Sequence, residues 1–308
     1  MYNSLYYDLN SAKNIFLCSH PNCPDAAGSL CGLIYLFKKL NKKYFAYLNE
    51  PLINWLKFMP GSAEIKNFLP DLNQFDTIVI TDCSDLKHTG IASELLNLQK
   101  RKQSLIINLD HHLSNNYFGA VNLVNSEASS VCELIYEFFQ TKKIAMPKTI
   151  AETLLAGILS DTDFFQNAAT TSRAVNTACS LMRLGASPIK INKRIFTNKS
   201  TDCNILKLKG LIFSRLTINQ KYQIAFTFIL QKDLKKYQVK YLELEGLANF
   251  LNNLQGISIA LLLAETENNE LKISMRTTKD NIDLARLAHF LGGGGHKKAA
   301  GFSLPLKS

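Results

Sequence analysis

Short apolar runs recur through the first 185 positions, at Asn14–Cys18, Tyr44–Leu48, Thr77–Thr81, Ser104–Asn108 and Ala120–Val124. They are continuous rather than alternating, so each predicts a strand covered on both faces. Helical stretches such as Ala26–Leu40 and Ser130–Phe139 lie between them. Buried strands alternating with amphipathic helices predict a parallel sheet with helices on both faces. Ligands of such sheets gather at the carboxyl ends of the strands.

After Gly185 the pattern changes. Ser187-Pro188 and the residues behind it read as a connector with some helix. Strands are then predicted near Leu211–Ile218, Tyr222–Ile229, Ile257–Ala264 and Leu271–Arg276, with helices near Tyr241–Leu254 and Asp283–Leu291. Polar turns at Asn219-Gln220 and Asn268-Asn269 predict hairpins and a mixed sheet. The expected architecture is α/β in two domains, since 308 residues exceed one comfortable core. The larger parallel-sheet domain spans 1–186, the connector 187–205 and the smaller mixed-sheet α/β domain 206–308.

Hydrophobic content of 46% and charged content of 19% are those of an ordinary globular chain. The run Ile257–Ala264 is too short to span a bilayer. The opening MYNSLYYDLN lacks the layout of a signal peptide. The expectation is a cytoplasmic protein with no membrane partner. The formal charge is +10, which attracts anions. Lys190, Lys193, Arg194, Lys199, Lys207 and Lys209 cluster around a single acid, Asp202, as a solvated connector or a phosphate-attracting rim.

Titratable residues fall where the strands stop. The first run delivers His20 and then Asp25, at the start of a helix; the third delivers Asp82, with Asp85 behind it. The fourth delivers Asp110, His111 and His112, and the later stretch ILSDTDFF delivers Asp161 and Asp163. One acid after a strand commonly just caps the next helix. Several in one rim are not explained that way, because burying carboxylates is costly unless cations neutralise them. Mixed Asp and His ligation without paired cysteines suits Mn²⁺ better than a structural zinc. Two ions about 3.5–4 Å apart would activate water and clamp a phosphoryl group, with Asp82 the natural shared ligand.

The C-terminal part carries FLGGGGHKKAAGF, residues 290–302. Gly292, Gly293, Gly294 and Gly295 would let backbone amides approach a ligand, with His296, Lys297 and Lys298 immediately behind. Arg276, ending ELKISMR, could add a guanidinium for phosphate.

Together these residues resemble the DHH phosphoesterase superfamily. Asp110-His111-His112 resembles its name-giving motif, His20…Asp25-Ala-Ala-Gly-Ser its first, Asp82 its second and Asp161-Thr-Asp-Phe-Phe its fourth. Gly292–Gly295-His296-Lys-Lys-Ala-Ala-Gly-Phe resembles the glycine signature of the DHH-associated C-terminal domain. Chain length favours the nanoRNase/pAp phosphatase branch.

The resemblance implies a metal-dependent phosphoesterase with its active site in a cleft between the domains. Its substrates would be short single-stranded oligonucleotides or 3′-phosphorylated nucleotides, and a homodimer is an assembly it leaves open. It implies two divalent metal ions, Mn²⁺ foremost, one held by His20 and Asp82 and the other by Asp25, Asp82, His111 and Asp161. His112 would face the substrate phosphate and Asp110 would orient its histidine neighbour. Arg276, the glycine run, His296 and Lys297 would bind the nucleotide. Other members, namely RecJ-like single-strand exonucleases, cyclic-dinucleotide phosphodiesterases and exopolyphosphatases, are alternative readings, as is a nucleotide-binding protein with a decayed metal site.

The first motif departs from the family pattern. Counting back from Asp25, Cys23 stands where a first aspartate belongs, and the turn is one residue short. Three outcomes follow. Cys23 ligates as thiolate and tilts that site toward Zn²⁺ or Fe²⁺, Asn22 or a water fills the place, or the first ion is held weakly.

Overall fold

The computed structural model describes residues 2–102, 104–197, 203–244 and 246–306. It divides into two units, Met1–Phe196 and Thr197–Ser308.

The first unit is a six-stranded sheet of β1 (Asn14–Cys18), β2 (Lys43–Tyr47), β3 (Ile65–Lys66), β4 (Thr77–Thr81), β5 (Leu105–Asp110) and β6 (Val121–Val124), in the order β3-β2-β1-β4-β5-β6. Every neighbouring pair is parallel. Its helices are α1 (Tyr2–Ser11), α2 (Pro24–Lys39), α3 (Ala92–Arg101), α4 (Val131–Thr141), α5 (Lys148–Asp161), α6 (Ser172–Arg183) and α7 (Pro188–Asn192).

Alternate strand residues serve two cores. Ile15, Leu17, Val79, Ile107 and Leu109 pack with Leu33, Phe138, Leu154 and Leu181 from α2, α4, α5 and α6. Phe16, Cys18, Ile78, Ile80 and Ile106 face the other side with Leu95 and Leu98 of α3. Burying each such side chain contributes about 1.5–3 kcal/mol, so polar residues are driven from the strand interiors to the strand ends. Ile191 and Ile195 are buried in the first of these cores, so this unit continues past residue 186.

The strand order reverses at β1. The chain winds outward through β2 and β3, then returns to β4 on the other side of β1. A crevice therefore opens beyond the carboxyl ends of β1 and β4, the place where doubly wound sheets bind ligands.

The second unit is a six-stranded mixed sheet in the order β11-β12-β10-β9-β8-β7. The strands are β7 (Thr217–Asn219), β8 (Ile224–Ile229), β9 (Ile259–Glu265), β10 (Glu270–Arg276), β11 (Gly294–His296) and β12 (Ala299–Pro305). Among the described residues of this unit, only β8 and β9 pair in parallel; β7–β8 and β9–β10 are the expected hairpins. The helices are α8 (Cys203–Ser214), α9 (Gln231–Tyr237), α10 (Leu247–Leu251) and α11 (Leu284–Phe290).

Two local expectations change. Leu211–Ser214 is the end of helix α8, not the start of a strand, and only Thr217–Asn219 is extended. Buried Ile205, Leu208 and Ile212 show the helical period that claims the apolar run. The helix expected over Tyr241–Leu254 is a 3₁₀ turn, Tyr241–Leu244, then α10 after Gly246. Of the basic span, Lys199 and Asp202 lie outside the described residues. Among the described residues, no helix is long and apolar enough to cross a membrane.

Candidate metal centre

β1 ends at Cys18 and His20 follows it; β4 ends at Thr81 and Asp82 follows at once. Both therefore stand at the mouth of the switch-point crevice. Asp82 has φ of 56°, in the left-handed region that aspartate tolerates better than most residues. Its amide still donates to the carbonyl of Leu109 (2.9 Å), so the backbone leaves the ladder only after this residue.

Asp110 is the last residue of β5, and His111 and His112 open the short segment that leads to β6. Asp25 lies in the first turn of α2, and Asp161 ends α5.

Ligand atoms of Asp25, Asp82, His111 and Asp161 lie within 4.8 Å of one another, as do those of His20, Cys23 and Asp82. A third such set joins Asp82, Asp110, His111 and His112. Asp82 is common to all three. His20 Nε2 is 3.0 Å from Asp82 Oδ2. His111 Nε2 is 3.5 Å from Asp82 Oδ1 and 3.3 Å from Asp161 Oδ2. Side-chain exposure rises from 2% at Asp82 through 15% at His111 and 18% at Asp161 to 32% at His112, so the centre is approached from the histidine side.

Two of the carboxylates, Asp25 and Asp110, are held from behind. Asp25 Oδ2 and Oδ1 accept the amides of Val131 (2.7 Å) and Cys132 (2.8 Å), at the amino end of α4. That end carries partial positive charge and exposed N–H groups, which suits a buried anion. Ser130 caps it, accepting from the Glu133 amide (3.1 Å). A side chain at Gly157 would put Cβ 2.7 Å from Asp25 Oδ1 and 2.4 Å from Cys132 Sγ, so only glycine lets α5 approach this carboxylate. Asp110 Oδ1 accepts from His112 Nδ1 (2.8 Å) while its Oδ2 accepts from Asn115 Nδ2 (2.5 Å). The Asp110 contact therefore goes to His112, the second of the two histidines.

The buried charges act on one another. Burial and the Asp82 charge push Asp25 up to about 6. Burial, Asp25 and Asp82 push Asp161 well above the usual carboxylate range. Burial would raise Asp82 too, but the imidazoles of His111 and His20 outweigh it and hold Asp82 well below that range. Burial opposes a charged His111, yet Asp82, Asp161 and Asp25 lift it to about 10. Burial, then Asp82, Asp161 and Asp25, push the Cys23 thiol well up.

Among the described residues, Asp82 Oδ1 and His111 Nε2 are buried with no hydrogen-bond partner. Both are metal-ligating atoms, they face each other, and a divalent cation would satisfy both. The donor set of oxygens and imidazole nitrogens fits such an ion.

The second unit gathers the remaining predicted residues. Lys272, Ser274 and Arg276 alternate along β10 with Ile273 and Met275, which pack with α11. Their polar face, with Gly301 and Ser303 of β12 in register, lines a recess of about 630 Å³. Gly294, Gly295 and His296 form a strand rather than a free loop, paired with Ala299–Gly301. At Gly293 a Cβ would sit 2.1 Å from the Gly301 carbonyl oxygen, so a side chain there is excluded. Gly292, Gly293, Gly294, Gly295, His296 and Arg276 all line the recess. His296 and Lys297 are exposed. Arg276 Nε donates to Asn249 Oδ1 (2.7 Å). Lys298 is occupied by Asp280 (2.7 Å).

Fold and site define a class, the two-unit α/β proteins with a cluster of carboxylates and imidazoles at the switch point of a doubly wound sheet. Residues 14–158 match the DHH family, N-terminal domain, and residues 219–308 match the DHHA1 domain. The bifunctional oligoribonuclease and PAP phosphatase NrnA of Bacillus subtilis is 27% identical over 287 residues, covering 91% of this chain and 86% of that protein. The protein of the same name from Thermus thermophilus is 24% identical over 292 residues, covering 94% and 84%. In fold, the crystal structure of an exopolyphosphatase-related protein from Bacteroides fragilis matches with a TM-score of 0.87 at 23% identity, over 100% of this chain and 92% of that one. The chain belongs to the DHH family and is a hydrolase of phosphoester bonds.

Asn115 escaped the sequence reading. It donates to Asp110 and to the Cys83 carbonyl (3.2 Å), and exchanges side-chain amide bonds with Asn108. Its only signal was an asparagine placed soon after the histidine pair. The two α4 amides on Asp25 were equally hidden, although Ser130 with Glu133 three residues on has the look of a helix start.

Proposed function

We propose that this protein hydrolyses short single-stranded oligonucleotides to mononucleotides and 3′-phosphoadenosine 5′-phosphate to AMP, in the cytoplasm, with two divalent cations, Mn²⁺ foremost. The observation that carries this is the convergence of Asp25, Asp82, His111 and Asp161, from separate strand and helix ends, on one buried oxygen and one buried nitrogen without partners. The names of the Bacillus and Thermus relatives supply the substrate class.

In this reading His20 and Asp82 hold one cation, and Asp25, Asp82, His111 and Asp161 hold the other. When bound, the ions lower the pKa of water and neutralise phosphoryl oxygens. The chain does the rest. Asp82, common to the three ligand sets, would be the carboxylate that both ions share. Asp110 holds His112 through Nδ1, leaving its Nε2 for a phosphate oxygen. Arg276, His296, Lys297 and the amides of Gly292–Gly295 bind the nucleotide's phosphate and sugar, which explains why that recess is small-residue and cationic.

The test is hydrolysis of di- to pentanucleotides and of 3′-phosphoadenosine 5′-phosphate by metal-free protein supplied with Mn²⁺, Mg²⁺, Zn²⁺ or Fe²⁺. Mononucleotides, and AMP with phosphate, are the expected products, and His111→Ala should abolish both reactions while keeping the fold. Both substrates left intact under every metal would overturn the assignment. Polyphosphate and cyclic dinucleotides in the same panel separate it from the other activities of the fold.

A further inference from the structure

We infer that the Cys23 thiolate is a protein ligand of the first cation, beside His20 and Asp82, so that this chain has one sulfur-bearing metal position next to one built from oxygen and imidazole. The inference rests on the two-cation reading above.

Four observations support it. The ligand atoms of His20, Cys23 and Asp82 lie within 4.8 Å of one another, a spacing that modest adjustment brings to the roughly 3.5 Å between donors around a tetrahedral ion. His20 is already oriented. Its Nδ1 donates to the Pro21 carbonyl (3.1 Å), which turns Nε2 toward Asp82. Asp82 turns its Oδ2, not the Oδ1 that faces His111, toward His20 Nε2 (3.0 Å).

The fourth observation concerns Cys23 itself. It occupies the N-cap of α2, where Ser, Thr, Asp or Asn is the usual choice, and its sulfur, a weak acceptor, has only the Ala26 amide to receive. Cys18, Cys31, Cys83 and Cys132 are core residues, whereas Cys23 is half-buried. A weak sulfur cap and partial packing do not call for a cysteine here. Asn22, the other side chain in the turn, is exposed and donates to Glu50 Oε2 (3.1 Å), so it is engaged elsewhere.

The consequence is selectivity. A thiolate with one imidazole and one carboxylate favours Zn²⁺, Fe²⁺ or Co²⁺, while Asp25, Asp82, His111 and Asp161 offer a harder set suited to Mn²⁺ or Mg²⁺. Binding replaces the thiol S–H bond with a sulfur–metal bond, and the proton leaves to solvent.

Cobalt reports this directly, because a Co²⁺–thiolate bond gives a near-ultraviolet charge-transfer band that oxygen and nitrogen ligands do not. Full-length metal-free protein titrated with Co²⁺ should show that band with one thiolate per chain, alongside metal counting by mass spectrometry. Cys23→Ser should lose the band, and His111→Ala should keep it while losing one equivalent of metal. Cys23→Asp should keep two equivalents but lose the preference for Zn²⁺ over Mn²⁺, and circular dichroism of each variant checks the fold. Two bound equivalents with no thiolate band in the unsubstituted protein would overturn the inference and leave the two-cation reading standing. A band that survives in Cys23→Ser would also overturn it, assigning the sulfur to another thiol. No divalent ion bound at all would remove both.

Discussion

The two units solve opposite electrostatic problems. The first collects carboxylates and has to stop them repelling; the second clears space and leaves cationic groups at its edge. In the first, three functional side chains have dedicated supporters: α4 amides for Asp25, Asp110 for His112 and Asn115 for Asp110. In the second, selectivity of shape comes from missing side chains, with Gly293 against the Gly301 carbonyl, while His296 and Lys297 stand in solvent. Under the proposed function, a site that positions ions within fractions of an ångström would need supporting contacts, and one that embraces a phosphate and sugar would not. The first should govern the rate of the chemistry, the second the capture of substrate.

The largest effect should come from Asp82→Asn. Loss of the shared ligand should release metal and lower kcat/KM by about 10³-fold or more, roughly 4 kcal/mol of transition-state stabilisation. Retention of both ions in that variant, counted by mass spectrometry, would mean that the three ligand sets do not meet at Asp82. Arg276→Ala should be intermediate, raising KM on the order of tenfold to a hundredfold with kcat nearly unchanged, as for a residue that binds ground and transition states alike. A fall in kcat at constant KM would instead put the second unit in the chemistry and dissolve the contrast. The smallest effect should be that of Asn115→Ala. With Asp110 losing a partner, kcat should fall about tenfold at unchanged metal content. A loss of metal would show that Asn115 supports the ligands rather than His112.

Much of the first unit was legible because its strands are buried on both faces, which writes them as unbroken apolar runs. Thr77–Thr81 agrees with expectation at both ends, and Asn14–Cys18 does too. The acids and histidines were legible because burial drives polar residues to strand ends, where their residue types stand out. β3 was not, since two residues make no pattern. Leu211–Ser214 misled because a short apolar run reads the same on a helix as on a strand. The supports of the centre were the least visible part. Backbone amides from Val131 and Cys132 have no residue type to read, and a single asparagine in a polar segment resembles any turn residue.

The left-handed backbone at Asp82 narrows the ways this molecule could drift out of use. At φ of 56° the main chain accepts aspartate, asparagine or glycine with least strain, while the shared-ligand role proposed above calls for a carboxylate. Glutamate answers the second demand and fits the first badly, so one amino acid meets both. A lineage abandoning catalysis while preserving its architecture would be expected to substitute asparagine or glycine here before anything bulkier. The residue at this corner thus serves as a readable marker, within otherwise similar chains, of whether hydrolysis has been given up.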